Sequence, residues 1–499
     1  MTVFTDSPVV LGIDVGTTSV KVYAADREGR IQANTTLRYP LMSPRTGWAE
    51  QDCEVIWTAV VDGVRTVCQH VALSDRRIAA VSLGSAYHSL IALGADGTPI
   101  SPNITWADNR AAAYAMRLRA GDGADALVQR TGLPLLPMSP LTKLCWMRQE
   151  QPEVFRAAAT FVSIKDLVLE RMTGERCTDL SMASAMGLFD IRKHVWDGEA
   201  LEIAGISAKR LPAVAEPTTV FSRLSKGAAE STGLPRDTPV IIGAGDGFLA
   251  NLGSGAVGRG QANLTIGTSL GLRTITAQPY TDPNGGTFCY AATSDRWLVG
   301  CAGSSGGIAL DWLARLLNAS DDKAWHDAIV AKALGLSPGS NGLICLPYVV
   351  GERAPQRNAE SRGVFFGFGL HHSQEHFWRA ALEGIFLVAR GMLGSIVRLT
   401  GPIDDIRASG GVLRERAVAS ILAACLGQPV STLASYNASA LGSVLLALVA
   451  LGEYAQIEDT GHLVDTVTTA CTSKDAEAYA RLAEKSDALY SSTVALVAG

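Results

Sequence analysis

Two stretches of this chain echo each other, and each combines residue types suited to holding an anion. The first is Leu11-Gly12-Ile13-Asp14-Val15-Gly16-Thr17-Thr18-Ser19-Val20-Lys21. The second is Asn263-Leu264-Thr265-Ile266-Gly267-Thr268-Ser269-Leu270-Gly271-Leu272-Arg273. Each has a short apolar run, then Gly-Thr with further small hydroxyl residues, then an apolar run ending in a cation. That is the pattern of strand, tight turn and strand. No bulky side chain covers the turn, glycine permits close approach, and consecutive backbone N–H groups form an anion-binding concavity. Either stretch alone reads as an ordinary hairpin; the pair, one per half, suits a polyphosphate held between two lobes. Between them runs Pro239-Val240-Ile241-Ile242-Gly243-Ala244-Gly245-Asp246-Gly247, an apolar strand that ends in small residues and one carboxylate. Asp246 suits a general base that takes the proton of a substrate hydroxyl as its oxygen attacks a γ-phosphorus. Phosphoryl transfer depends mostly on positioning and charge stabilisation, so one base and one metal site can suffice. An equal alternative is that Asp246 only caps a helix starting at Gly247.

Composition narrows the class. At 499 residues the chain exceeds a single hydrophobic core, so two or three domains are expected. Apolar content of 47% with 18% charged residues describes a well-buried globular protein, not a disordered one. A formal net charge of −5 gives no electrostatic reason to expect nucleic acid or an anionic membrane as a partner. Met1 to Pro8 lacks the basic flank and apolar core of a signal peptide. The longest apolar stretch, Ala440 to Leu451, falls well short of the ~20 residues of a membrane span. Nine cysteines without a C-x-x-C pair fit reduced thiols in a cytoplasmic protein better than a disulfide framework or a zinc site. His371-His372 and His376 lack neighbours in metal-ligand order and read as a polar loop leading into a helix.

The elements that must position these residues follow from periodicity. Val9 to Val15, Val20 to Ala25 and Arg30 to Arg38 read as successive strands, and Asp52 to His70 as an amphipathic helix capped by Asp52. Ile78 to Leu83 and Val240 to Ile242 are further strands, and Leu90 to Leu93 with Asp96-Gly97 suggests a hairpin. After Gly260 the order restarts, with strands around Asn263, Thr274, Phe288 and Trp297 and a helix from Gly306 to Leu317. Helices are expected at Gln374 to Leu399, Arg414 to Leu426 and Ala438 to Leu451. A strand-helix order repeated in two halves predicts two α/β domains, 1–254 and 255–499, with a cleft between them. The glycine-rich run Gly253 to Gly260 holds the boundary and contains a literal G-x-G-x-x-G. It is not a dinucleotide fingerprint, because a helix precedes it, a strand follows, and no acidic residue occurs between Asp246 and Asp282. No P-loop motif is present either.

These motifs resemble the FGGY family of carbohydrate kinases, within the actin and hexokinase superfamily, nearly end to end. The resemblance rests on the first hairpin, on Gly47-Trp48-Ala49-Glu50-Gln51-Asp52, and on Met138 to Met147, which looks like the first family signature. Gly363 to Glu383 looks like the second, and Ala408-Ser409-Gly410-Gly411-Val412-Leu413-Arg414 resembles the adenosine motif. One position departs: Phe368 stands where the family usually has an aliphatic residue, which reads as packing.

The resemblance implies an α/β fold of two actin/hexokinase-like (ribonuclease H-like) domains flanking an ATP- and sugar-binding cleft. The first domain would bind sugar and carry the base, and the second would bind ATP. It places Asp14 near Mg2+ and the γ-phosphate, with a strand-end Asp buttressing its own turn as the plain physical alternative. Thr17, Thr18, Gly267, Thr268 and Ser269 would face the phosphates, with Lys21 a weaker candidate. Gly306 and Gly307 open a helix at a position suited to phosphate or ribose. Gly410 and Gly411 would let adenine lie against the backbone, flanked by Arg414. Tyr87, His88, Trp106, Arg110 and Asp246 would meet the acceptor, His88 by hydrogen bonds and Trp106 by covering an apolar sugar face.

The runs around His88, Thr105 to Arg110, Asp246 to Gly253 and Gly351 to Pro355 look most like the gluconokinase branch, with xylulokinases the runner-up. Tyr87 replaces a methionine common to both branches, and Ser304-Ser305 stand where gluconokinases tend to carry asparagines. The implied activity is ATP-dependent phosphorylation of a terminal hydroxyl of a small linear sugar or sugar acid. The partners would be a small-molecule substrate, with no nucleic acid and no membrane, and with homodimerisation left open. A non-catalytic, nucleotide-gated sugar-binding protein is the remote alternative, since such branches lack the substrate loop and the Asp246 context.

Overall fold

Val9–Val15 (β1) is buried along its whole length, as an apolar run flanked by strands on both sides must be. In this computed structural model residues 8–73, 76–283, 285–317, 323–358, 360–433 and 438–497 are described. β1 pairs antiparallel with Ser19–Ala25 (β2), which pairs antiparallel with Ile31–Arg38 (β3). On its other side β1 runs parallel to Ile78–Ser85 (β4). Short Val220–Phe221 (β5) lies antiparallel to Val240–Gly245 (β6), which runs parallel to β4. The sheet order is β5-β6-β4-β1-β2-β3.

The alternation of β1 assigns its two faces. Leu11, Ile13 and Val15 share a core with Ile56, Val60 and Val64 of helix Cys53–Leu73, whose first turn Asp52 caps through the N–H groups of Glu54 and Val55. Val10 faces the other way, into a core with Leu441, Val444 and Leu445 of helix Ala438–Ala450. Gly12 and Asp14 share that second face. A Cβ on Gly12 would stand 2.5 Å from the Ala440 carbonyl oxygen, so the helix lies on the strand backbone itself. The same helix crosses helix Asp246–Gly253 with equal intimacy. A Cβ on Gly253 would lie 1.7 Å from the Ala438 oxygen, and one on Gly442 would lie 1.8 Å from the Leu249 oxygen.

The chain forms two compact units. The first comprises Met1–Val257, Ile275–Leu298 and Asn437–Val464; the second comprises Gly258–Thr274, Val299–Tyr436 and Asp465–Gly499. The chain thus leaves the first unit within the expected glycine-rich run and returns to it twice.

In the second unit Gln261–Ile266 (β7) and Leu270–Thr276 (β8) form an antiparallel hairpin. Trp297–Gly303 (β9) neighbours β8, and Asp405–Ser409 (β10) runs parallel to β7. Val430–Leu433 (β11) runs parallel to β10, and Thr466–Thr469 (β12) closes the edge antiparallel. The hairpin followed by two parallel strands and an antiparallel edge repeats the order of the first sheet. The sequence echo is therefore a structural repeat.

Helix Gln374–Thr400 is long and apolar enough to cross a membrane, yet 78% of its apolar window is buried in the protein. It forms the centre of the second unit's core. His376 closes a capping box with Ser373, as the polar-loop reading expects. Phe368 corrects the packing reading: it is 66% exposed, with its ring 6.2 Å from that of Phe377. Leu90 to Leu93 differs in part, since Ile91–Leu93 pairs with Thr160–Val162 while Asp96-Gly97 still turns the chain back. All nine cysteines are free.

The helix crossing gives a direct test. Gly442→Ala forces a methyl into the Leu249 carbonyl and should destabilise by about 3 kcal/mol, the upper range for overpacking. Chemical denaturation reads the loss, and an unchanged midpoint would contradict the backbone contact.

Candidate active site

Strand register collects the two candidate carboxylates on one edge of the first sheet. Asp14 pairs with Gly84, and Gly84 with Ala244; Val15 lines up with Ser85 and Gly245. Asp246 follows at once as the first residue of its helix, half-buried, with Gly245 at the N-cap. Two interstrand spacings put β1 and β6 about 10 Å apart. The cap reading of Asp246 is displaced by one residue: the capping position belongs to a glycine without a side chain. A carboxylate in the first turn is still favoured by the helix dipole.

Asp14 is 4% exposed. Its Oδ2 accepts a hydrogen bond from Ser439 Oγ at 2.6 Å, and the Lys21 ammonium lies 3.9 Å away across the hairpin. Its Oδ1 is buried and has no hydrogen-bond partner among the described residues. An orphaned carboxylate oxygen is the donor that a hard cation takes. No group of three or more His, Cys, Asp or Glu side chains able to hold a metal occurs among the described residues. A cation at Asp14 must therefore complete its shell with water and ligand oxygens, which is the habit of Mg2+.

The first turn is braced from behind. Tyr39 Oη donates to the Gly16 carbonyl at 2.6 Å, and Gln51 Nε2 donates to the Thr17 carbonyl at 2.6 Å. Trp106 Nε1 donates to Thr17 Oγ1 at 2.7 Å, while Thr18 is exposed. Trp106 thus ties the candidate substrate segment to the turn, a role its residue type alone does not announce.

Tyr87 lies flat against the strand end, its ring 1.9 Å from where a Gly245 Cβ would be and 5.1 Å from the ring of Tyr290. His88 occupies the left-handed region at φ 64°, an uncommon conformation for this residue type that clusters at functional sites. Its Nδ1 lies 2.8 Å from the Ala185 carbonyl, which can only accept, so Nδ1 carries the proton. Nε2 lies 3.2 Å from Tyr290 Oη. Both ring nitrogens are engaged within the protein. Tyr290 joins the candidate residues Tyr87 and His88 through these contacts, and sequence reasoning did not single it out, because nothing in its local strand pattern marks it.

Arg110, expected to meet the acceptor, also has partners within the protein. Its side chain is 1% exposed, with Nε and Nη2 each 2.8 Å from the Asp108 carboxylate and Nη2 2.6 Å from Glu50. The guanidinium also lies 3.7 Å over the Trp48 ring. Asp108 in turn accepts from the Ala49 N–H at 2.7 Å. The arginine fastens the segment Gly47 to Asp52 from inside.

A buried chain of contacts also aims the strand that carries Asp246. Lys165 Nζ reaches Asp179 Oδ2 at 2.8 Å and the Ile242 carbonyl at 2.9 Å, with both side chains fully buried. Asp179 accepts from Ser181 Oγ, and that oxygen accepts from the Gly245 N–H at 2.9 Å.

In the second unit the turn Gly267–Ser269 meets the start of helix Gly307–Leu316. Gly307 N–H donates to the Gly267 carbonyl at 2.7 Å; the N–H groups of Gly306 and Ile308 donate to that of Thr268 at 3.1 and 3.2 Å. Gly306 and Gly307, expected at phosphate or ribose, hold the turn through their N–H groups. Gly410, at φ 142°, would put a Cβ 2.0 Å from the Ile266 carbonyl, whereas a Cβ on Gly411 meets nothing within 4 Å. Ser409, Gly410, Leu413, Arg416, Thr432 and Val467 help line a hollow of about 170 Å³. The Arg414 side chain lies outside the described residues.

Comparison with known proteins decides the family. The model of the N-terminal domain of the FGGY family of carbohydrate kinases matches residues 9–253, and that of its C-terminal domain matches residues 262–451. This chain belongs to the FGGY family of carbohydrate kinases. It is 36% identical to the gluconokinase of Bacillus subtilis (strain 168) over 91% of this chain and 90% of that protein. It is 29% identical to the xylulose kinase of Escherichia coli (strain K12), over 95% and 98%. The crystal structure of gluconate kinase from Lactobacillus acidophilus superposes with a TM-score of 0.93 at 32% identity, covering 99% of both chains. The fold is the two-domain α/β, actin/hexokinase-like fold of FGGY kinases, and membership carries the use of ATP with it.

The family signatures acquire physical content in the structure. In the first, Lys143 on helix Pro140–Glu150 is fully buried, and its ammonium donates to the carbonyls of His88 at 2.5 Å, Thr105 at 2.8 Å and Ile104 at 3.1 Å. One side chain thus clamps both candidate substrate segments. In the second, Arg379, Glu383 and Tyr479 form a closed buried network, each link 2.8 Å. That network is far removed in kind from catalysis: it fixes helix Gln374–Thr400.

Burial pushes the Lys143 ammonium down to about 7, from an ordinary value of 10.5. The folded protein therefore holds this proton less tightly than the unfolded chain. The stability penalty is complete below about pH 7 and is relieved as pH rises toward 10.5. Lys143→Met orphans three carbonyls, at about 1–3 kcal/mol for an unsatisfied group, and removes the titration. The gap in Tm between wild type and variant should be wider near pH 9.5 than near pH 6; a constant gap would contradict the assignment.

Proposed function

We propose that this protein is a gluconate kinase. It transfers the γ-phosphoryl group of ATP to a terminal hydroxyl of a linear sugar acid. The observation that supports the reaction is the placement of Asp246 at the C-terminal end of β6, on the same strand edge as Asp14. Asp246 accepts the proton of the acceptor hydroxyl while that oxygen bonds to the γ-phosphorus. The bond from phosphorus to the β–γ bridging oxygen breaks, and ADP leaves with that oxygen. Asp14, with its orphaned Oδ1, would hold Mg2+ through water, and the ion would neutralise phosphate charge when bound.

The remaining roles belong to the same proposal. Thr17, Thr18, Gly267, Thr268 and Ser269 contact the phosphates. Gly410 and Gly411 admit the adenosine, Gly411 being the one with open space before it. Residues 1–254 supply the base and, with Tyr290 added, the acceptor site; residues 255–499 supply the nucleotide contacts other than those of Thr17 and Thr18. Tyr87, Trp106 and Tyr290 surround the acceptor, and His88 sets the phenol of Tyr290. The enzyme acts in the cytoplasm on small molecules, without nucleic acid or membrane; homodimerisation remains open to a measurement of mass in solution.

Gluconate as the acceptor rests on the 36% identity to a gluconokinase over 91% of the chain. Xylulose is the second reading, favoured by one observation: the guanidinium placed by motif for a carboxylate is occupied by Asp108 and Glu50. A coupled assay of ADP release with gluconate, xylulose, ribulose, glycerol and fuculose separates the two. Activity on xylulose with none on gluconate would overturn the first reading.

Two variants test the chemistry. Asp246→Asn should leave MgATP binding nearly intact and lower turnover ~10²-fold or more, the scale of a positioned acid-base group. Near-normal turnover would reduce Asp246 to a helix residue. Arg110→Ala leaves Asp108 buried without its cation and should destabilise by about 3–5 kcal/mol. It should weaken gluconate and xylulose alike, as read from denaturation and from KM for each. Selective loss of gluconate at unchanged stability would return the guanidinium to the substrate.

A further inference from the structure

Glu352 is 3% exposed, and its carboxylate organises more than its own loop. Oε1 accepts from the N–H groups of Arg353 at 2.7 Å and Ala354 at 3.0 Å, which wraps the loop around the charge. It also accepts from the N–H of Ser304 at 3.2 Å, at the exit of β9. Arg353 Nη2 reinforces that link by donating to the Gly303 carbonyl at 3.1 Å. From Ser304 the backbone runs through Ser305 into Gly306, where the N–H groups begin to hold the carbonyls of Gly267 and Thr268. A trans peptide points its N–H opposite its C=O. Fixing those two carbonyls toward the helix start therefore aims the N–H groups of Thr268 and Ser269 away from it, as an anion-binding turn requires.

We propose that Glu352 is a positioning residue for the nucleotide: through Ser304 and the start of the following helix it fixes the turn Gly267–Ser269 in the orientation that receives phosphate. This rests on the assignment of that turn to the phosphates. The carboxylate acts through the turn. Its Oε2 is buried and has no hydrogen-bond partner among the described residues, and neither does Ser305 Oγ. Burial pushes the carboxyl up to about 7 against the opposing pull of its three N–H partners and the Arg353 guanidinium, and the Tyr348 phenol also faces it. Below neutrality a proton on Oε2 removes the negative charge that strengthens all three bonds.

Steady-state kinetics on the full chain test this with Glu352→Ala, Glu352→Gln and Gly267→Ala. Glu352→Ala orphans three N–H groups and should raise KM for ATP about tenfold, with KM for the sugar acceptor nearly unchanged. Glu352→Gln keeps an acceptor oxygen at the same reach and should restore most of the affinity. In wild type, KM for ATP should rise as pH falls from about 8 to about 6, and Glu352→Gln should flatten that profile. Equal rises in both KM values in the alanine variant, or its unchanged KM for ATP, would overturn the proposal. Should the alanine variant not fold, identical pH profiles for wild type and Glu352→Gln would overturn it. A Cβ on Gly267 meets only the Ser269 carbonyl oxygen at 3.9 Å, so Gly267→Ala fits the protein and intrudes only on a ligand. If Gly267→Ala leaves KM for ATP unchanged, the phosphate assignment itself fails. If it raises KM while Glu352→Ala does not, only the role of Glu352 fails.

Discussion

The first unit depends on one close contact, in which helix Ala438–Ala450 meets both β1 and helix Asp246–Gly253 backbone to backbone. Gly12, Gly253 and Gly442 stand where side chains would otherwise hold these elements apart. The contact brings Ser439 within 2.6 Å of Asp14, and it seats the helix that starts with Asp246 on the same support. Dispersion and burial act along the whole of this apolar helix, but the carboxylate geometry follows from the absence of side chains at three points. A methyl group is enough to move it, because close-packed interiors transmit strain instead of absorbing it.

Charged side chains inside the protein do the remaining alignment. Lys143 joins the carbonyls of two loops, Arg110 joins Asp108 to Glu50, and Lys165 joins Asp179 to the strand before Asp246. Such groups are weak sources of net stability, since desolvation offsets most of the Coulomb gain. Their value is geometric. Each ties together segments distant in sequence, and each would leave a buried charge or several carbonyls unmatched if its partner moved. A site assembled from loops acquires in this way the rigidity that regular structure gives to strands.

Much of this framework was legible in the sequence. Apolar runs and turn residues located β1, β2, β7 and β8 within a few residues, and Asp52 capped its helix as its spacing required. Asp246 was marked by its strand-end position and Asp14 by the family resemblance. Other features were not legible, for identifiable reasons. That helix Ala438–Ala450 belongs to the first unit depends on a return of the chain, which local periodicity cannot encode. Arg110 and His88 were read by what their side chains can do for a ligand, yet their nitrogens are engaged by Asp108, Glu50, Ala185 and Tyr290. Tyr290 sits in the short strand Phe288–Ala291 without a motif to announce it. Lys143 stood inside a recognised signature, but only the fold shows which three carbonyls it meets.

The glycines separate packing from ligand approach more finely than motif position does. Gly306 and Gly410 belong to motifs that imply nucleotide contact, yet in each the missing side chain makes room for protein. A Cβ on Gly306 would lie 2.6 Å from the Gly267 oxygen, and one on Gly410 would lie 2.0 Å from the Ile266 oxygen. Gly267 and Gly411 face space instead, with a Cβ meeting one atom at 3.9 Å or none within 4 Å. Gly410 and Gly411 set the two kinds side by side, whereas Gly306 and Gly307 both approach the Gly267 carbonyl. Packing glycines bring the backbone of one element onto the next, and the neighbouring open glycine then presents bare amide to whatever arrives. The pair Gly410-Gly411 is therefore two features written side by side, one packed against protein and one facing open space.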